Sequence, residues 1–135
     1  MKVIDFYPLI LEAFNENKSF IFPINGTSMM PLFRPQTKVE IVKIDQIKKN
    51  DIIFYRRTDG SFILHRVIKV NDTLTMMGDH QIIKETNVSR DSCFAKVVAF
   101  YKNGKRKELK GFLYRLYLFT LNFKLFRKVY IRCLH

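Results

Sequence analysis

Three short segments hold the residues able to do nucleophilic chemistry: Gly26-Thr27-Ser28-Met29-Met30-Pro31, Leu64-His65-Arg66-Val67 and Gly78-Asp79-His80. A serine hydroxyl attacks a peptide carbonyl only when a neighbour takes its proton. Ser28 follows Gly26, which permits close backbone approach, and precedes Pro31, which stiffens the exit. Such a turn can present the hydroxyl and the backbone N–H groups of Thr27 and Ser28 to one carbonyl, the basis of an oxyanion hole. His65 lies in an apolar run, Phe62–Ile68, and its side chain alone has an ordinary pKa near neutrality, as a general base requires. Asp79 can hold an imidazole in one tautomer and stabilise its charged form. Each residue also has an ordinary structural reading: a turn serine, a hydrogen-bonded strand histidine, a turn aspartate after Gly78. Lys69 shares the strand face of His65 on simple alternation but stands about 13 Å further along, which makes it a poorer base.

In content and order these segments resemble the superfamily of signal peptidase I and the SOS-repressor peptidases. There a Gly-x-Ser-Met-x-Pro segment carries the nucleophile. The base is Lys in most bacterial members, and His, in a His-Arg-Val context, in the endoplasmic-reticulum and archaeal branch. The resemblance covers about residues 20–101 and extends to Lys49-Asn50-Asp51-Ile52-Ile53 and Ala95-Lys96-Val97-Val98. It implies a serine endopeptidase with Ser28 as nucleophile, His65 as base, and Asp79 of the Gly-Asp box as orienter. His80 stands where the family prefers Asn. Glu85 stands where a relative of the endoplasmic-reticulum type carries a second Asp, so it is an alternative orienter. Arg66 reads as a structural ion-pair or sheet-edge residue. The resemblance further implies that an extended peptide pairs with edge strands near Phe20–Ile24 and Ser61–His65, with Ile21, Ile24, Met29 and Ile63 as candidate pocket residues. Two features depart from it. No N-terminal membrane anchor or large second β-region is seen, and no Ala-Gly bond of the self-cleaving type occurs. What the resemblance implies is therefore a minimal peptidase core.

Positioning these residues is a task for a mainly β fold. Ile4, Tyr7, Leu11 and Phe14 are spaced as one face of a helix over residues 3–17. From residue 20 to 101 the pattern is β: Lys38–Ile44 alternates, 52–57 and 61–70 flank the turn Thr58-Asp59-Gly60, Thr73–Met77 follows Asn71-Asp72, and Ala95–Lys102 ends at Asn103-Gly104. Short strands punctuated this often predict a small coiled antiparallel sheet, barrel-like, in a catalytic domain over 1–107. Residues 108–135 form a basic, aromatic-rich C-terminal segment, expected as a helix over Phe112–Phe126.

The 135 residues carry 24 Lys/Arg against 12 Asp/Glu, a net charge of +12. Residues 1–101 have 14 against 11, or +3, and residues 102–135 have 10 against Glu108 alone, or +9. The excess thus belongs to the tail. Three readings of the tail follow: it lies on an anionic membrane surface, it binds a partner or an acidic leader peptide, or it packs on its own domain with its basic face solvated. Its six aromatics between Phe112 and Phe126 exceed what one packed face needs, which favours the first two readings. Nucleic acid ranks last, since no recognised binding motif accompanies the charge. Cys93 and Cys133 are isolated, with no metal spacing, so neither metal nor organic cofactor is expected. Without a signal-peptide pattern or a long apolar stretch, a cytoplasmic protein, peripheral at the inner membrane face, is expected. The expected substrate is a peptide or protein precursor. The competing functions are a catalytically degenerate module that binds peptide or membrane, and a basic nucleic-acid-binding β domain.

Overall fold

The computed structural model describes residues 3–123. The chain opens with α1 (Val3–Asn15), which buries Ile10 and Phe14, one turn apart. Asn17, at φ 57°, ends it, and Lys18 N–H reaches back to Ala13 O at 2.8 Å, so the expected helix over 3–17 closes two residues early. Then follow β1 (Phe20–Pro23), β2 (Lys38–Lys43), β3 (Ile52–Arg56), β4 (Phe62–Val70), β5 (Leu74–Met77), β6 (Glu85–Val88), a 3₁₀ turn, β7 (Cys93–Lys102), β8 (Lys105–Glu108) and α2 (Phe112–Leu121).

The eight strands form one antiparallel sheet in the order β1-β2-β7-β3-β4-β5-β6, with β8 also pairing β7. It is coiled but not closed into a barrel. Coiling carries β1 over the sheet interior, so that the Phe22 ring lies 5.3 Å from that of Phe54 on β3. Strand β3 is covered on both sides, which explains its unbroken run Ile-Ile-Phe-Tyr. Ile52 and Phe54 join a core with Ile10, Phe14, Phe22, Phe33, Val39 and Ile41. Ile53 and Tyr55 point the other way, into a second core with Val67, Leu74, Met76 and Val88.

Three elements differ from expectation. Asn103-Gly104, both at positive φ, form a hairpin turn rather than a terminus, so β7 continues into β8 and the 107/108 boundary falls inside that strand. Glu85–Val88 pairs β5 although only Val88 is buried, a pattern with too little apolar alternation to announce a strand. Helix α2 spans Phe112–Leu121 and ends in a turn at Asn122 and Phe123, while residues 124–126 of the expected helix, with Cys133, lie outside the described residues.

Candidate active site

Ser28 sits in the turns between β1 and β2, and His65 on β4. Both line a cleft whose walls include Ile24, Asn25, Arg57, Ile63 and Gln81. Strand pairing explains the opening. Residues Phe62–His65 pair with β3 along one edge, whereas the β5 partnership begins only at Arg66, and β1 pairs with β2 alone. The cleft therefore has unpartnered strand backbone on two sides. No hydrogen bond joins Ser28 to His65 among the described residues; such bonds often tighten only around substrate. The N–H groups of Thr27 and Ser28 donate to no other described residue.

Ser28 is held from behind by a loop fifty residues downstream. His80 N–H donates to Ser28 O at 2.9 Å. Gly78 passes so close that a Cβ there would stand 2.4 Å from the same oxygen, a separation that excludes any side chain. Gln81 ties the loop by accepting from Gly78 N–H at 3.0 Å. The contact from position 80 is a main-chain one and does not depend on the histidine side chain.

His65 is 5% exposed, and its Nδ1 lies 3.2 Å from Tyr55 Oη. The Tyr55 hydroxyl spends its proton on Glu85 Oε1 at 2.8 Å. Its oxygen is then left as an acceptor, which assigns the imidazole proton to Nδ1 and leaves Nε2 free to take one. Arg57 fastens Glu85 in turn, with Nε and Nη2 at 3.1–3.2 Å from the carboxylate. Burial is the largest influence on Glu85 and opposes its charge, but the bonds from Arg57 and Tyr55 prevail and hold the carboxyl below its usual range. Burial, then the nearby Arg57 charge, pushes His65 down from 6.5 to about 4, with Glu85 and Asp79 pulling more weakly the other way. Burial and Glu85 push the Tyr55 phenol well up, so it remains protonated.

Asp79, expected beside the imidazole, is committed elsewhere. Its carboxylate receives Arg66 Nε at 2.8 Å and Nη2 at 2.9 Å, and the Tyr117 hydroxyl at 2.8 Å. Both partners of the ion pair are essentially excluded from solvent. Arg66 Nη1 also donates to Asn50 O and to Tyr114 Oη, at 2.8 and 2.7 Å. Burial alone would lower the Arg66 pKa, but Asp79 more than offsets it and the guanidinium stays charged. The reason for the displacement is that a buried arginine next to His65 demands a carboxylate, and Asp79 meets that demand bidentately. The two expected orienters thus divide: Glu85 is linked to His65 through Tyr55, whereas Asp79 reaches His65 only through space.

Of the candidate pocket residues, Ile24 and Ile63 line the cleft. Met29 is 2% exposed inside the first core, so its side chain forms packing rather than pocket. Ile21 is 44% exposed on the edge strand. Tyr55 and the two helix tyrosines were missed from sequence. Tyr55 alone carried a signal: a hydroxyl inside a strand buried on both faces requires a partner. Among the described residues no cluster of His, Cys, Asp and Glu could hold a metal ion, and no helix is long and apolar enough to cross a membrane.

No curated protein and no solved structure matches the chain. A family model does, and it covers residues 2–98, from α1 through the Ser28 turn and His65 to the middle of β7. With most of its length and both cleft residues inside that match, the chain belongs to the Peptidase S24-like family.

Proposed function

We propose that the protein is a serine endopeptidase that cleaves an extended peptide laid across the Ser28–His65 cleft. The carrying observation is that Ser28 and His65 share this cleft while the Tyr55 hydroxyl, bonded to Glu85, lies against His65 Nδ1. Substrate backbone pairs with the free edges of β1 and of Phe62–His65, and Ile24 and Ile63 contact its side chains. Ser28 Oγ attacks the scissile carbonyl carbon as its proton passes to His65 Nε2. The oxyanion so formed meets the N–H groups of Thr27 and Ser28. The C–N bond then breaks, the imidazolium returns its proton to the leaving amine, and water activated by the same base releases the acyl group.

A serine-reactive fluorophosphonate probe tests this reading. Labelling of the wild type that disappears in Ser28→Ala, together with cleavage of a peptide library by the wild type alone, is the expected result. Equal labelling of both proteins removes Ser28 from the chemistry. No labelling of either, in a folded protein that still binds peptides, favours a binding module.

A further inference from the structure

Helix α2 has two unlike faces. Tyr114, Tyr117 and Leu121, spaced i, i+3 and i+7, turn inward: the tyrosine hydroxyls bond Arg66 and Asp79, and Leu121 is 4% exposed. On the opposite side Phe112, Leu116 and Phe119, spaced i, i+4 and i+7, are 78%, 49% and 59% exposed, and Phe123, just past the helix end with its ring against Phe119, is 45% exposed. Leu113, at 78%, widens this stripe. A helix docked by one face ordinarily turns polar groups outward; here the outward face is apolar and aromatic. Nor do local devices stabilise it. Gly111 provides no side-chain cap, and there is neither an acidic residue in the first turn nor a basic one in the last.

The surrounding charge identifies the occupant. Lys105 and Lys107 on β8 and Arg115 on α2 are exposed, as is Lys110 in the link between them, which pairs with Glu108. Residues 102–135 hold 10 Lys/Arg, and no acidic residue follows Glu108. A second copy seated on this stripe would set like charge against like, since described residues 102–123 alone carry six Lys/Arg against Glu108, which disfavours self-association through it. A nucleic acid would match the cations but gain little from exposed Phe112, Leu113, Leu116 and Phe119. A bilayer with anionic headgroups matches both features at once, and a ten-residue helix, about 15 Å long, suits lying in the interface rather than crossing it.

We infer that α2 is an interfacial helix that seats the domain on an anionic lipid surface, with Phe112, Leu116, Phe119 and Phe123 entering the headgroup boundary. The tyrosine face stays on the sheet throughout, so binding requires no unfolding. Because Arg66 adjoins His65 in β4, the candidate site is rigidly attached to the membrane-bound element. This inference is independent of the Ser28 chemistry.

The test is co-sedimentation of the full chain with vesicles of phosphatidylcholine, alone or with roughly a third phosphatidylglycerol, at low and high salt. The expected result is binding to the anionic vesicles that weakens with salt and falls at least about tenfold in Phe112→Ser/Phe119→Ser and in Arg115→Glu. These positions are exposed, so unchanged melting temperatures show that folding is intact, and Ile83→Ser, an exposed apolar position elsewhere, leaves binding unaltered. Binding that the double variant retains overturns the inference, as does an absence of binding to either vesicle. A wild-type dimer in sedimentation equilibrium that the same double substitution dissociates overturns it too and assigns the stripe to a second copy.

Discussion

His65 is kept neutral by its surroundings, and its pH behaviour follows from that. With the imidazole at about 4 rather than 6.5, His65 stays able to accept a proton well below neutrality. The acid limb of kcat/KM should therefore have its midpoint near pH 4, measured on a cleaved reporter peptide; a midpoint near 6.5 would mean that His65 is solvated or is not the base. Stability moves in the same direction. Below pH 6.5 the unfolded chain protonates this imidazole while the folded chain resists until about 4, so stability falls across that window and is indifferent to His65 above it. Tyr55→Phe removes the acceptor for Nδ1–H and should lower kcat about tenfold to a hundredfold with KM little changed. The same variant should raise the acid-limb midpoint or distort the limb, which a purely structural tyrosine would not do. At this scale Ser28, His65 and Glu85 were legible as residue types in suggestive order. The Tyr55 bridge was not, because a phenol in an apolar run reads as core until its hydroxyl is seen to have partners.

The loop between β5 and β6 backs Ser28 from outside the turn that contains it. Gly78→Ala would drive a methyl to 2.4 Å from Ser28 O, backbone against side chain with no flexible group to yield. We expect a loss of about 1–3 kcal/mol in denaturant unfolding and a larger proportional loss of activity, as the Ser28 peptide is displaced. Wild-type activity in this variant would show that the loop merely neighbours the site. Strand and turn chemistry made most of the sheet readable: Gly60, at φ 90°, turns β3 into β4, and alternation marked β2 and β7. Strands β6 and β8 escaped because their side chains are largely exposed and polar, so nothing but backbone pairing defines them. The packing of Gly78 against Ser28 escaped for a different reason. It is a contact between backbones far apart in sequence, and glycine in a Gly-Asp dipeptide reads equally well as an ordinary turn.

At the scale of the molecule, one buried ion pair joins three parts: β4 through Arg66, the β5–β6 loop through Asp79, and α2 through Tyr114 and Tyr117. Asp79→Asn leaves the Arg66 charge buried without its counter-ion and should cost about 3–5 kcal/mol, whereas Arg66→Met/Asp79→Leu should cost distinctly less, as read by urea unfolding. If the single and double variants are equally damaged, packing volume rather than charge is what matters there. The uneven charge along the chain was plain from sequence, but the division of α2 into a docked and a bare face was not. Its tyrosines and phenylalanines are alike in hydropathy and separate only when the hydroxyls find Arg66 and Asp79. The hold of His80 on Ser28 has a further consequence for the order of synthesis. The Ser28 turn and the His65 strand leave the ribosome first, while the loop that grips Ser28 and the tyrosines bonded to Arg66 and Asp79 emerge later. The Ser28 turn therefore gains its backing only after residues 78–81 have been synthesised, fifty residues later.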